Sequence, residues 1–321
     1  MTTELTEITV IGGDKTGLIA RVTTLLFERG INIEDLDQAV RDGLFRMSMR
    51  VDTGEMSCER DELREALSEL GRELGVEIQV RFPSDRETRR IAVCVTKESH
   101  CLEALMNAAG DELDVEIAAV ISNRGTLRDL VEPAGIPFYD IGDGNGSPDE
   151  DRMLDLLAEH DVDLIVLARY MRILGPKIVF RYEDRIINIH PSLLPSFPGA
   201  AAYRQAKEEG VRIGGVTAHY VTTDLDQGPI ITQRAFDIPD DALIDEIKAR
   251  GQPLEAEALL EAVELHLDDA VAVHRGRTSL RDGADPEGYQ LGLSSTAQET
   301  NPTEPVDDEL DLSDAPSVAD D

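Results

Sequence analysis

Apolar positions change their spacing once, near residue 83, along this 321-residue chain. Up to that point they fall in short alternating runs and in helical stripes. Residues 7–11 alternate as a strand does, and Gly12-Gly-Asp-Lys-Thr-Gly17 reads as a turn. Residues 18–29 place Leu18, Val22, Leu25 and Leu26 on one helical face before Gly30 stops it. Residues 31–36 and 43–51 alternate again. Residues 59–74 carry Leu63, Leu67, Leu70 and Leu74 at helical spacing, and residues 76–82 close as a strand. The order strand, helix, strand, strand, helix, strand predicts a ferredoxin-like domain over residues 1–83. The polar stretch after it predicts a linker over 84–90.

From residue 91 to 282 the rhythm is different. Near-continuous apolar runs at 91–95, 115–121, 136–139, 164–168 and 186–189 alternate with helical stretches. Runs of that kind are expected of parallel strands buried on both faces, so the second domain is predicted to be α/β with a mostly parallel sheet. Runs at 215–221 and 229–236 predict further strands, antiparallel to the rest, and a long helix is expected over about 254–274. After Arg281 the chain has no Lys or Arg. Residues 283–321 are acidic and poor in large apolar groups, so they are predicted to be a disordered tail with no chemistry of its own.

Charge narrows the partners. The chain has 65 acidic against 31 basic residues, a formal net charge of −34. Such a surface repels phosphate backbones and anionic membrane faces, which argues against nucleic-acid and membrane partners. The excess runs through both halves and reads as a solvation strategy suited to a salt-rich cytosol, where screening weakens self-repulsion. Three cysteines (Cys58, Cys94, Cys101) in no metal-type spacing signal neither a disulfide framework nor a zinc site. Without a spanning apolar run or a signal-peptide pattern, a soluble cytoplasmic protein is expected.

The candidate chemistry lies where residues 185–190 should leave the sheet. Asn188 and His190, two apart on a strand, point to one side, and ligands of open α/β sheets bind beyond the carboxyl ends of the strands. Three prolines just beyond (Pro191, Pro195, Pro198) keep the chain from continuing the ladder, so the cleft stays open. An Asn-x-His pair alone fits a structural histidine as readily as a catalytic one. A second stretch, Ala218-His-Tyr-Val-Thr-Thr-Asp-Leu-Asp-Gln-Gly-Pro229, turns through Asp224, Asp226 and Gly228 between two strands. A carboxylate there that meets His190 would favour its protonated form and could take a proton from water. An amide and an imidazolium then supply donors to a developing oxyanion. The set suits attack on a carbonyl-like carbon without a Ser or Cys nucleophile.

Asn188-Ile-His190-Pro-Ser-Leu-Leu-Pro together with Leu225-Asp226-Gln-Gly-Pro resembles the formyltransferase family that uses 10-formyltetrahydrofolate, over about residues 88–281. The resemblance implies that Asn188, His190 and Asp226 carry the chemistry and that His219 helps orient Asp226. Leu167-Ala-Arg-Tyr-Met-Arg-Ile-Leu174 resembles the family's pterin-binding strand end. It implies folate contacts at Met171, Arg172, Ile173 and Leu174, and at Thr223 and Asp224. Asp14-Lys-Thr-Gly-Leu18, in its ferredoxin-like setting, resembles an ACT domain. It implies either an amino-acid effector pocket that includes Asp14 and Gly17 at a subunit interface, or dimer contacts without a ligand; both imply a homo-oligomer. Val95-Thr-Lys-Glu-Ser-His-Cys-Leu102 and Leu113-Asp-Val-Glu-Ile-Ala-Ala-Val-Ile121 resemble the formyltetrahydrofolate deformylases, which place an ACT domain ahead of the catalytic one. Where ribonucleotide formyltransferases have a Gly/Ser-rich loop suited to a phosphate, this chain has Lys97, Glu98 and His100. The resemblance therefore implies water as the acceptor, with 10-formyltetrahydrofolate as substrate, no permanently bound cofactor and no metal. Two departures, Pro191-Ser-Leu-Leu after His190 and the absence of a proline before Tyr203, keep formyl transfer to an amine as the alternative.

Among the other residues, His100 reads either as a site group or as a helix N-terminal contact. His160, His266 and His274 are expected on exposed helical positions. Gly142-Asp-Gly-Asn-Gly-Ser-Pro148 lacks the Lys and Ser/Thr of a phosphate loop and is expected to be a flexible surface loop.

Overall fold

The computed structural model describes residues 5–41, 43–82, 88–274 and 276–281. The expected tail, 283–321, and residues 84–87 of the expected linker lie outside the described residues.

The N-terminal part keeps its predicted order: β1 (Thr6–Gly13), α1 (Leu18–Glu28), β2 (Asn32–Arg41), β3 (Leu44–Asp52), α2 (Arg60–Leu74) and β4 (Val76–Arg81). The four strands form one antiparallel sheet in the order β2-β3-β1-β4. Leu18, Val22 and Leu26 from α1 and Leu63, Leu67 and Leu70 from α2 are buried against Ile8, Val10, Met47, Met49 and Val51. The inward strand residues are two apart, and the helix residues three or four apart, as their periods require. Two boundaries differ from expectation. Gly12 and Gly13 belong to β1, paired with Phe45 and Leu44, so the turn begins only at Asp14. Strand β2 runs on to Arg41 because its polar residues lie along β3 with one face in solvent.

The second part comprises β5 (Arg89–Val95), α3 (His100–Ala108), β6 (Val115–Ser122), α4 (Arg128–Val131), β7 (Phe138–Asp140), α5 (Glu150–Glu159), β8 (Leu164–Leu167), α6 (Pro176–Arg181) and β9 (Ile186–His190). It continues through α7 (Ala202–Glu208), β10 (Ile213–Tyr220), β11 (Ile230–Asp237), α8 (Ile244–Leu267), β12 (Val271–His274) and β13 (Arg277–Leu280). Strand β5 already begins at Arg89, inside the segment expected as linker. A seven-stranded sheet has the order β11-β10-β9-β8-β5-β6-β7, parallel from β7 to β9 and antiparallel at β10 and β11. The chain builds outward from β5 through β6 to β7, then returns to the other side of β5 with β8. The reversal makes the carboxyl ends of β5 and β8 the crevice where ligands of such sheets bind. The carboxyl end of β9 is one strand away.

Three features of the C-terminal region depart from expectation. Helix α8 starts at Ile244, ten residues before its predicted start, and contains Pro253. By local rules Pro253 favours a helix start, but upstream of it Glu246 Oε2 accepts from the Leu243 amide at 2.7 Å and caps an earlier start. The helix stops at Leu267, close to Asp269 with φ +53, and β12 and β13 form a hairpin in which His274 ends β12. His266 is not solvated: it lies partly buried on α8, with Nδ1 2.9 Å from Tyr220 Oη. His160 likewise bonds Tyr139 Oη through Nε2 at 2.8 Å. Among the described residues no helix is long and apolar enough to cross a membrane.

Candidate active site

Strand register brings the first groups together. On β9, Asn188 and His190 share one face, and on antiparallel β10 the residues opposite them are His219 and Thr217. Cross-strand partners lie within about 4.5–5.5 Å at Cβ. Asn188 Nδ2 is 3.1 Å from His219 Nε2. His219 Nδ1 donates to the Tyr220 carbonyl at 2.8 Å, which leaves Nε2 as the lone-pair nitrogen able to accept from Asn188. Burial pushes His219 below the usual imidazole range, outweighing the Tyr220 hydrogen bond and the Asp226 charge, so the ring is a neutral, fixed acceptor.

The third group comes from the turn between β10 and β11. Asp226 sits at φ +52 with its side chain 8% exposed. Its Oδ2 lies 3.4 Å from His190 Nδ1 and accepts from the Gly199 amide at 2.7 Å; its Oδ1 lies 3.8 Å from His219 Nε2. Gly228 makes the turn feasible, since a Cβ there would lie 1.7 Å from the Tyr220 carbonyl oxygen. His190 is buried, and its Nε2 donates to the Phe197 carbonyl at 2.9 Å. Nδ1 is therefore the nitrogen that faces the carboxylate. His219 is nearer to Asn188 than to Asp226, so its contacts orient the amide at least as directly as the acid.

The predicted pterin-binding residues lie at the carboxyl end of β8. The Met171 amide donates to Thr96 Oγ1 at 2.9 Å, joining the loops after β5 and β8. Met171 and Ile173 are 49% and 68% exposed, an apolar pair at the crevice, while Leu174 is buried. Arg172 has a buried Nε without a hydrogen-bond partner. Thr223 and Asp224 share the Asp226 turn, but their side chains are engaged by Arg41 at the end of β2: Nη1 bonds Thr223 Oγ1, and Nη2 lies 2.6 Å from Asp224 Oδ1. Asp14 and Gly17 lie far in sequence from this cleft, in the exposed loop between β1 and α1, with Gly17 at φ +92. The loop at 142–148 is ordered by Asp143, whose Oδ1 accepts from the Asn145 and Ser147 amides.

Beside the cleft lies a cluster that motif reading did not assemble. Glu255 on α8 is 0% exposed and takes hydrogen bonds from Tyr203 Oη (2.5 Å) and His100 Nε2 (3.0 Å). Arg169 Nε stands 3.3 Å from Glu255 and 2.5 Å from Glu98. Burial alone would raise the Glu255 carboxyl, but His100, Arg169 and Tyr203 hold it below the usual carboxylate range. His100, Cys101 and Glu255 present ligand-type atoms within 4.8 Å of one another. The cation that Glu255 already faces is Arg169, and burial and the Glu255 charge push the Cys101 thiol up, so this donor set favours the ion pair over a metal.

Comparison with known proteins gives the family. The Formyl transferase family model matches residues 89–263, and the ACT domain model matches residues 6–81. Formyltetrahydrofolate deformylase of Bacillus subtilis (strain 168) is 38% identical over 271 residues, covering 83% of this chain and 90% of that protein. The chain belongs to the formyltetrahydrofolate deformylase family. The deformylase of Escherichia coli (strain K12) is 39% identical over 268 residues, 83% of this chain and 94% of its own. A solved deformylase from Pseudomonas syringae pv. tomato str. DC3000 superposes with a TM-score of 0.59 at 32% identity, over 87% of this chain and 94% of that one. Phosphoribosylglycinamide formyltransferase from Anaplasma phagocytophilum reaches 0.58 at 35% identity, but covers only 62% of this chain while using 97% of its own. The deformylase match thus spans most of this chain, where the transferase match stops short.

Proposed function

We propose that this chain hydrolyses 10-formyltetrahydrofolate to tetrahydrofolate and formate. The observation that carries the reading is the convergence of Asn188, His190 and Asp226 at the carboxyl end of β9. Asp226 holds a water and takes its proton as the water oxygen attacks the formyl carbon. The tetrahedral oxyanion is met by the second N–H of Asn188 and by the Nδ1–H of imidazolium His190. On collapse the bond from carbon to N10 breaks, His190 gives its proton to N10, and formic acid leaves and ionises. Asp226 then returns the water proton to His190, restoring both groups.

In this reading the chain divides into a regulatory domain (1–83), a linker (84–90) whose last two residues already belong to β5, a catalytic domain (91–282) and an acidic tail (283–321). The pterin lies against Met171, Arg172, Ile173 and Leu174, with the exposed Met171 and Ile173 as its apolar contact; Thr223 and Asp224 border it. The regulatory domain takes a small amino acid at a subunit interface that includes Asp14 and Gly17. The protein is a cytoplasmic homo-oligomer without a permanent cofactor.

A second reading, formyl transfer to an amine such as glycinamide ribonucleotide, is favoured by Pro191-Ser-Leu-Leu after His190. Formate release from 10-formyltetrahydrofolate at high salt, with and without that amine, separates the two. Formate without any amine supports hydrolysis; tetrahydrofolate formed only with the amine, and no formate, overturns it.

A further inference from the structure

The segment between β9 and α7 touches both His190 and Asp226. The Phe197 carbonyl receives the His190 Nε2 proton, and the Gly199 amide donates to Asp226 Oδ2. Its first half is held by the sheet: Leu194 donates to Thr217 Oγ1 at 3.0 Å, and Gln233 Nε2 donates to the Leu194 carbonyl at 3.1 Å. Its second half is held from α7, where Gln205 Nε2 donates to the Pro198 and Ala200 carbonyls at 3.3 and 2.9 Å. Phe197 and Ala201 adopt φ of +54 and +60, which side chains other than glycine rarely take, so this conformation persists only if the surroundings enforce it.

Helix α7 begins directly after this segment, and its second residue is Tyr203. Tyr203 is 5% exposed, and its hydroxyl donates to Glu255 Oε1 at 2.5 Å. Helix α8 is shaped for this bond: a Cβ at Gly251 would lie 2.0 Å from Tyr203 Oη, so only glycine leaves room for the hydroxyl. Glu255 is in turn held by His100 at the start of α3 and by Arg169 after β8. A buried carboxylate cluster of this kind is a poor means of adding net stability compared with apolar packing, and its better-supported use is to specify one arrangement.

We infer that Tyr203 and Glu255 are positioning residues for the hydrolytic step, holding segment 197–201 so that Phe197 orients His190 and Gly199 orients Asp226. This rests on the proposed hydrolase reading. It adds a reason for the buried Glu255 cluster and assigns a role to residues that do not touch the reacting atoms.

The test uses the full chain and three variants: Tyr203→Phe, Gly251→Ala and, as control, Tyr139→Phe. The control removes the Tyr139 hydroxyl from His160 at the far side of the sheet, near β7. Formate release is expressed per folate site, titrated with a folate analogue lacking N10, so that any unfolded fraction divides out. A misplacement of about 1 Å at the reacting groups is worth about 100-fold, so both site variants should lose about 10- to 100-fold in kcat with KM within about twofold. The control should stay within about twofold of wild type in both constants. A merely structural role would lower the titrated sites and leave kcat per site unchanged; that result, or a loss confined to KM, overturns the inference. If the wild-type chain releases no formate, the hydrolase reading itself fails. If wild type turns over and both site variants match it, only the positioning role fails.

Discussion

In the proposed mechanism Asp226 is the residue on which the chemistry turns, and its surroundings make its removal a clean experiment. Asn tolerates a left-handed backbone and keeps an oxygen for the Gly199 amide, so Asp226→Asn should fold and bind folate while losing the base. Loss of general-base catalysis is worth about 100- to 10,000-fold in kcat, and affinity for a folate analogue should change by less than about threefold. Retention of most of the rate would remove Asp226 from the mechanism. Asn188, His190 and Asp226 are legible as a set because each is a side chain in a distinctive motif. The groups that aim them are not, since the Phe197 carbonyl and the Gly199 amide are backbone atoms that every residue type carries. His266 illustrates another kind of miss. Its helical position suggests solvent, but burial and then the charges of Arg81, Arg185, Arg89 and Arg281 push it down to about 3. The folded state therefore binds this proton less readily than the unfolded chain, whose histidine titrates near 6.5. Stability contributed by neutral His266 should be intact above about pH 6.5 and decline as pH falls towards about 3. Comparing Tm across that window for wild type and His266→Gln isolates the effect; an unchanged gap between the two at every pH would refute it.

The turn between β10 and β11 ties these side chains to the elements around them. Its geometry depends on Gly228, where any Cβ would collide with the Tyr220 carbonyl. Gly228→Ala should cost about 1–3 kcal/mol of stability, the usual range for overpacking, and should lower kcat because Asp226 is two residues away. Thermal unfolding and formate release report the two effects separately, and a variant matching wild type in both would mean the turn shifts without consequence. From the other side, Arg41 at the end of β2 grips Thr223 and Asp224. Exposed ion pairs are worth about 0.2–1 kcal/mol, so Arg41→Ala should change kcat by no more than about fivefold, but measurably. Steady-state kinetics identical to wild type would show that the N-terminal sheet does not steady the turn. This contact has no signal in the sequence, because Arg41 and Asp224 are 183 residues apart and each looks like an ordinary surface charge. The start of α8 is hidden for a related reason. Pro253 marks a helix boundary by local rules, yet the packing of α8 over β9, β10 and β11 carries the helix through it.

A net charge of −34 acts on the molecule as a whole. The Debye length falls from about 10 Å at 0.1 M salt to about 3 Å at 1 M, so self-repulsion should weaken and Tm should rise over that range of potassium chloride. A flat or falling Tm would show that the acidic surface is not a burden at low salt. At this level the sequence alone determined the two successive rhythms of apolar residues, and hence a ferredoxin-like sheet and then an α/β sheet, because burial period is a local property of the chain. It also singled out the three side chains proposed to react, because their motifs are short and contiguous. Only the tertiary structure decided how they are aimed. The register of β9 against β10 sets His219 opposite Asn188, the close approach of Gly228 to Tyr220 turns Asp226 inward, and α8 brings Glu255 to the Tyr203 hydroxyl. Each of these depends on contacts between separate elements or across a turn, whose energies exist only once the chain has folded.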